Sequence, residues 1–213
     1  MINIPNQKIK KFRAKIRKWH SHFIINYPWR KTKNKWHALV AEIMLQRTNA
    51  DQVVPIYNDF AVRFPSAEHF YTHMLEFKEN IFKNLGLEWR NKYLIDAAKY
   101  IMENEIPLNK KELMKIPGVG EYAASAFLSL QFNIKEAIID SNIVRLYARY
   151  FNFEFDGETR RKRWFKELAN RITPDKEIKK FNYLILDFSR NICITKPKCN
   201  ECVLYAECLF EKK

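Results

Sequence analysis

Glycine is scarce in this sequence, since only four of the 213 residues are glycine. Runs in which apolar and polar residues alternate, as they do along a half-buried strand, are also hard to find. Hydrophobic residues nevertheless make up 47% of the chain and aromatic residues 15%. This composition excludes a disordered protein and suffices for a core without disulfide bonds. Together these features predict an all-α fold.

Two kinds of hydrophobic segment are missing as well. No apolar run approaches the roughly 20 residues that a membrane-spanning helix needs. Residues 1–20 contain neither the apolar centre nor the small-residue cleavage site of an export signal. We therefore expect no membrane partner and a reducing, cytoplasmic location in association with the nucleoid.

Cysteine is absent until residue 193, and all four cysteines then fall within the last 21 residues. A secreted disulfide scaffold distributes its cysteines differently, and thiols in a reducing compartment are usually metal ligands or reactive groups. The spacing is C-x5-C-x2-C-x5-C, so four thiolates could enclose one metal centre. The spacing alone leaves zinc and an iron–sulfur cube open. The four candidate ligands are Cys193, Cys199, Cys202 and Cys208.

Acidic residues are outnumbered by basic ones, which leaves a net charge of +14. A surplus of this size indicates a polyanionic partner, either nucleic acid or an anionic membrane surface. The basic residues are dispersed rather than confined to one segment, which favours nucleic acid.

Half of the glycines lie in one stretch, Ile-Pro-Gly-Val-Gly at 116–120. Apolar residues before and after this stretch have helical spacing, which predicts two helices joined by a tight turn. Glycine permits a positive φ and lets another chain approach the backbone closely. The backbone N–H groups around Gly118, Val119 and Gly120 would then bind an anion, for which a DNA phosphate is suited.

Asp140 follows the apolar segment 137–139 and directly precedes a predicted helix. One interpretation is a helix N-cap, for which Asp, Ser and Asn are favoured. Because Ser141 and Asn142 are also capping residues, we expect that the cap does not require Asp140. Its carboxylate could instead stabilise the positive charge that develops on a sugar when a glycosidic bond breaks.

Taken together, these motifs resemble the helix-hairpin-helix DNA glycosylases of the endonuclease III superfamily. The resemblance is strongest to the mismatch thymine/uracil glycosylases, and the adenine-DNA glycosylases come next. It covers nearly the whole chain and rests on several segments in the family's order. These are Tyr-Pro-Trp-Arg at 27–30, Ala-Glu-Ile-Met-Leu-Gln-Arg-Thr at 41–48, the hairpin, Ile-Asp-Ser-Asn-Ile-Val-Arg at 139–145, and the cysteines.

The resemblance implies two helical subdomains with a C-terminal iron–sulfur cluster loop. Residues 27–135 would form a barrel-like bundle that includes the helix-hairpin-helix motif at about 108–130. Residues 1–26 and 136–213 would form the cluster subdomain, and DNA would lie in the cleft between the two. The family's cluster is [4Fe–4S] with the pattern C-x6-C-x2-C-x5-C, one residue longer in the first gap than here. Lys196 and Lys198 lie in that gap and would meet phosphates.

The resemblance also implies roles for individual residues. Asp140 would be the catalytic carboxylate, and Glu42 would lie in the base pocket. Bifunctional members of the family have a lysine at the position of Tyr122, so a tyrosine there implies a monofunctional enzyme. Gln46 and Arg47 would meet the gap left by the flipped base. Ser141 and Tyr183 match neither subfamily well and are expected in the pocket.

We therefore expect a monomeric enzyme that flips a mispaired base out of double-stranded DNA and hydrolyses its glycosidic bond. The expected base is thymine or uracil opposite guanine, and an abasic site is left. The alternative is removal of adenine opposite guanine or 8-oxoguanine. A further alternative is a DNA-binding or redox-sensing module without catalysis.

Overall fold

The computed structural model describes residues 4–19, 26–77, 79–81, 83 and 89–210. The chain divides into two compact units. One is the continuous segment 26–131, here called the hairpin unit. The other combines 1–25 with 132–213 and is here called the cysteine unit.

Every regular element within the described ranges is a helix, which confirms the predicted all-α fold. The hairpin unit contains α2 (Lys35–Met44), α3 (Ala50–Arg63), α4 (Ala67–Phe77), α5 (Trp89–Glu103), α6 (Lys110–Leu113) and α7 (Glu121–Ala126), which continues as a π-helix over Phe127–Gln131. The cysteine unit contains α1 (Asn6–Trp19), α8 (Ser141–Phe151), α9 (Arg163–Ile172) and α10 (Ile178–Asn191). Short 3₁₀ turns occur at Pro28–Arg30, Thr159–Arg161, Cys199–Glu201 and Tyr205–Glu207.

The core of the hairpin unit is built around α2, in which every residue from Trp36 to Met44 except His37 is buried. This helix packs against α3, α5 and α7, while α4 packs against α5. Aromatic rings fill the space beside it, and Phe60 lies 5.9 Å from Trp36 and 5.5 Å from Phe70 between ring centroids. A helix that is buried on nearly all sides holds its few polar groups, Glu42 among them, in fixed positions.

Polar side chains mark the beginnings of several helices. Asn34 caps α2, Asn49 caps α3 and Asn109 caps α6, each by accepting a hydrogen bond from a backbone N–H of the first turn. The side-chain oxygen thereby satisfies a donor that the helix itself cannot pair.

The first helix of the cysteine unit is amphipathic. Ile9, Phe12, Ile16 and Trp19 are buried on one face, and α1 packs with that face against α9 and α10. The helical spacing of Phe12, Ile16, Trp19 and Phe23 in the sequence predicts a helix over 8–26. The helix is observed over Asn6–Trp19, and residues 20–25 lie outside the described ranges. No helix in the described part of the chain is both long and apolar enough to cross a bilayer.

Replacing Phe12 by alanine should lower the free energy of unfolding by about 3–5 kcal/mol, because the ring is fully buried. Its centroid lies 5.6 Å from that of Tyr147 and 5.0 Å from that of Tyr150. Urea denaturation measures the loss. Phe155→Ala is the control, since Phe155 is 49% exposed and should cost less than about 1 kcal/mol. Equal losses in the two variants would contradict this description of the core.

Candidate DNA interface and active site

The hairpin predicted from the glycines is present between α6 and α7. Leu113, Ile116 and Val119 are buried and anchor the turn in the core. Gly118 has a φ of +80°, and a Cβ at this position would lie 3.0 Å from Cβ of Tyr93. Glycine is therefore required here both by the backbone conformation and by the close approach of α5.

The backbone of the turn is only partly available to a ligand. The Val119 N–H donates to the Ile116 carbonyl at 3.0 Å, and the Val119 side chain is buried. Gly120 is exposed at the N-cap of α7 and has no side chain that could cap the helix. An external anion would therefore meet the hairpin at Gly120 and at the start of α7, where the helix dipole is positive.

The turn that follows α2 approaches the hairpin directly. The Gln46 side-chain amide donates to the Gly118 carbonyl at 2.8 Å. Arg47 is exposed and has a φ of +57°, in the left-handed region that residues other than glycine rarely adopt. The structure thus brings together two predicted DNA-binding segments that are more than 70 residues apart in sequence.

Arg90 lies beneath this turn and was not identified from the sequence. It is fully buried, and its Nη1 donates at 2.9 Å to both the Met44 carbonyl and Oγ1 of Thr48. Burial, together with the charge of Arg47, lowers the pKa of Arg90 to about 10. Helical periodicity in the sequence could have revealed its burial, because Arg90 falls on the apolar face of α5 together with Leu94, Ala97 and Ala98.

Glu42 is 2% exposed, within the buried stretch of α2. A solvated helix carboxylate, the simplest interpretation of its sequence, is therefore excluded. Carboxylates are rarely buried this deeply, so this one is a candidate for a chemical role. Tyr122, at the start of α7, is half-buried in the same unit.

Asp140 caps α8, which corrects one inference from the sequence. Its Oδ1 accepts the backbone N–H of Ile143 at 2.8 Å, the bond expected of an N-cap. Ser141 and Asn142 cannot take this role because they already lie inside the helix. The second oxygen, Oδ2, accepts from Nδ2 of Asn142 at 3.3 Å and lies 3.6 Å from Nη2 of Arg190. The side chain is 19% exposed, so it remains accessible to a ligand.

The other predicted pocket residues also belong to the cysteine unit. Ser141 is exposed as the first residue of α8, and Tyr183 is half-buried in α10. Lys196 and Lys198 are exposed in the loop that follows α10. These placements are compatible with ligand contact, and the roles of the four residues stay predictions.

The cysteine segment is held by two arginines of α8. Arg145 donates to the Cys193 carbonyl at 2.9 Å, while Arg149 donates to the carbonyls of Ile194 and Thr195 at 2.6 and 2.8 Å. Nη1 of Arg149 also lies 3.6 Å from Sγ of Cys193. Two guanidinium groups beside a thiol-rich segment suit a centre built from negatively charged thiolates.

None of the four cysteines is joined in a disulfide. Burial, with a smaller contribution from the nearby Cys193 and Cys208, raises the pKa of Cys202 to about 11. Across the described ranges, however, no three Cys, His, Asp or Glu side chains meet closely enough to hold a metal ion. The donor set fits a thiolate-ligated centre in its chemistry, and the identity of that centre is a matter for the proposal below.

The helical fold, the glycine hairpin and the aspartate-capped helix are together characteristic of the helix-hairpin-helix DNA repair proteins. The chain belongs to the HhH-GPD superfamily of base excision DNA repair proteins, which matches residues 40–171. The family membership predicted from the motifs is thereby confirmed.

Individual relatives agree with this assignment. A thymine/uracil-DNA glycosylase of Methanothermobacter thermautotrophicus is 32% identical over all of this chain and 99% of its own length. An adenine DNA glycosylase of Buchnera aphidicola subsp. Baizongia pistaciae is 34% identical over 92% of this chain, which spans 57% of that relative. The solved structure of a thermostable thymine-DNA glycosylase superposes with a TM-score of 0.87 at 31% identity, covering 98% of this chain and 99% of that one.

Gly118→Ala should lower the free energy of unfolding by about 1–3 kcal/mol, because alanine is strained at a positive φ and its Cβ would press on Tyr93. Gly157→Ala is the matched control, since nothing lies within 4 Å of a Cβ at that position. It should change stability by less than about 0.5 kcal/mol. Denaturation curves that coincide for the two variants would show that the hairpin does not need Gly118.

Proposed function

We propose that this protein is a monofunctional DNA glycosylase that removes thymine or uracil opposite guanine and leaves an abasic site. The observation that carries the proposal is the position of Asp140. Its carboxylate is held at both oxygens, at the N-terminus of α8, yet keeps partial exposure. Relatives that match over nearly their whole length are named thymine/uracil- and thymine-DNA glycosylases, which supports the choice of base.

The proposed reaction is hydrolysis of the N-glycosidic bond of a flipped nucleotide. As the base departs, the sugar gains positive charge, and the Asp140 carboxylate stabilises that charge. Water then attacks the sugar carbon. A preorganised carboxylate is effective because it does not have to reorient during the reaction.

Glu42 and Tyr122 are proposed to contact the extruded base. A buried glutamate can donate a proton to the departing base or hydrogen-bond to its edge. Tyr122 offers a ring for stacking, but a phenol cannot form a Schiff base with the sugar. Two of the lysines that precede the hairpin turn form ion pairs, with Nζ of Lys110 3.4 Å from Glu121 and Nζ of Lys115 2.6 Å from Glu112. These contacts support a reaction that stops at the abasic site.

Double-stranded DNA with a mispaired or damaged base is the proposed partner of a monomeric enzyme. Gly120 and the start of α7 would bind a phosphate, and the exposed Lys196 and Lys198 would bind others. Gln46 and Arg47 would meet the site of the flipped base. The net charge of +14 supports binding of this kind.

A [4Fe–4S] cluster held by the four cysteines is proposed as the resident cofactor. Four cysteines that form no disulfide, and the nearby guanidiniums of Arg145 and Arg149, support a negatively charged cluster at this place. When bound, the cluster would stabilise the fold of the segment, and hydrolysis does not require its redox chemistry. Arg149 holds the segment through the carbonyls of Ile194 and Thr195, and its Nη1 also lies 3.6 Å from Sγ of Cys193, where the guanidinium charge would stabilise a thiolate ligand.

Removal of adenine is the second candidate, because a relative that is 34% identical is named an adenine DNA glycosylase. Duplexes with a single G·T, G·U, A·G or A·8-oxoguanine pair distinguish the candidates. We expect cleavage of the G·T and G·U duplexes, and only after alkali treatment. Cleavage of the adenine duplexes alone would select the alternative, and breaks without alkali would contradict the monofunctional mechanism.

Asp140→Asn separates the structural role of Asp140 from its chemical one. Asparagine caps a helix about as well as aspartate, so the variant should keep its stability. Base release at saturating DNA should fall at least about a hundredfold, because the stabilising charge is lost. DNA binding measured by fluorescence anisotropy should persist. A variant that still excises at the wild-type rate would favour a role for Asp140 in capping alone.

Purified protein should be brown and contain iron and acid-labile sulfide in equal amounts. Cys199→Ser should lower the iron content and the melting temperature, because a serine hydroxyl is a poor substitute for a thiolate ligand. The matched control is Thr195→Ser in the same loop, which should retain iron. Colourless protein with stoichiometric zinc would exclude the cluster.

A further inference from the structure

Arg90 is an unusual residue for the interior of a helical bundle. It is fully buried, and within the described part of the chain Nη1 alone has acceptors, namely the Met44 carbonyl and Oγ1 of Thr48. Among the described residues, its Nε and Nη2 are buried without an acceptor. Burying a charged group with unsatisfied donors costs free energy, so the stability of the fold alone does not explain an arginine here.

The contacts of Arg90 lead to the turn at residues 45–48. Thr48 accepts from Arg90 and its hydroxyl donates to the Gln46 carbonyl at 3.3 Å. The Gln46 side chain in turn donates to the Gly118 carbonyl at 2.8 Å. Arg90 therefore begins a chain of hydrogen bonds that runs through the turn and ends at the hairpin.

The same turn contains a strained residue. Arg47 is exposed in the left-handed region, a conformation that costs about 1–2 kcal/mol for a residue other than glycine. Such a conformation persists only where the surroundings enforce it. The hydrogen bonds to Met44 and Thr48, one on each side of Arg47, supply that enforcement.

We propose that Arg90 is a positioning residue that holds the 45–48 turn in the conformation in which Gln46 and Arg47 meet DNA. This inference rests on the proposed function, which assigns the turn to the DNA interface. A turn that is already ordered in the free protein avoids the loss of conformational entropy on binding. Arg90 thus acts on affinity through Gln46 and Arg47 and does not touch the reacting atoms.

Arg90→Met tests the inference because methionine fills similar space without charge or donors. Stability should be unchanged or higher, since an incompletely paired buried charge is removed. Affinity for a duplex with a stable abasic-site analogue should fall about tenfold. A change of this size lies within the range of interaction energies found between residues in contact. Base release from a G·T duplex at saturating protein should change less than about threefold, because the reacting groups are untouched.

A double-mutant cycle separates positioning from general structural damage. If Arg90 acts through the turn, Arg90→Met should cost little additional affinity once Arg47 has been replaced by alanine. Losses that simply add would overturn the inference. Arg13→Met in the cysteine unit is the matched control, because Nε of Arg13 donates to a backbone carbonyl, that of Ile172, at 2.8 Å. This control should keep wild-type affinity for the duplex.

Thr48→Val provides an independent variant should Arg90→Met fail to fold. It removes the hydroxyl that receives the Arg90 hydrogen bond while it preserves the shape of the side chain. Weaker DNA binding that is again non-additive with Arg47→Ala would support the inference, and wild-type affinity would overturn it. Wild-type protein that releases no base from any duplex would refute the proposed function itself. Active wild-type protein with an Arg90→Met variant of equal affinity would refute only the role of Arg90.

Discussion

The hydrogen bond from the Gln46 side chain to the Gly118 carbonyl is the contact on which the hairpin unit's proposed DNA-binding surface depends. It joins two turns that each contain a residue with positive φ, Arg47 in one and Gly118 in the other. This conformation is unfavourable for Arg47 in an isolated peptide, whereas glycine at position 118 adopts it readily. The packing of α2 and α5 beneath these turns maintains both, so the surface is a product of the core under it.

In the cysteine unit, α8 supports the candidate functional segments, as α2 and α5 do in the hairpin unit. The helix begins at the Asp140 cap, and Arg145 and Arg149 further along it bind the carbonyls of residues 193–195. The candidate catalytic carboxylate and the cysteine segment are therefore attached to one rigid element. A disturbance of the cysteine segment would reach Asp140 through this helix, without any chemical role for a metal centre in base release.

Much of the architecture could be predicted because it rests on local patterns. The apolar spacing of Phe12, Ile16 and Trp19 predicted α1, and the glycines at 118 and 120 predicted the hairpin. The expectation that the cap of α8 does not require Asp140 was wrong, because capping preferences rank residue types but do not say which of three adjacent candidates begins the helix. Arg90 was missed because its partners, Met44 and Thr48, are more than 40 residues away in sequence.

The sequence by itself determined the helical class, the family and the chemical groups available for repair, because composition, periodicity and short motifs depend on neighbouring residues. Only the tertiary structure decided how those groups are held. It buried Glu42, placed Asp140 on a helix end beside Arg190, and set Arg90 beneath a strained turn. Burial and long-range hydrogen bonds depend on which distant segments meet, and the order of residues along the chain does not specify this locally.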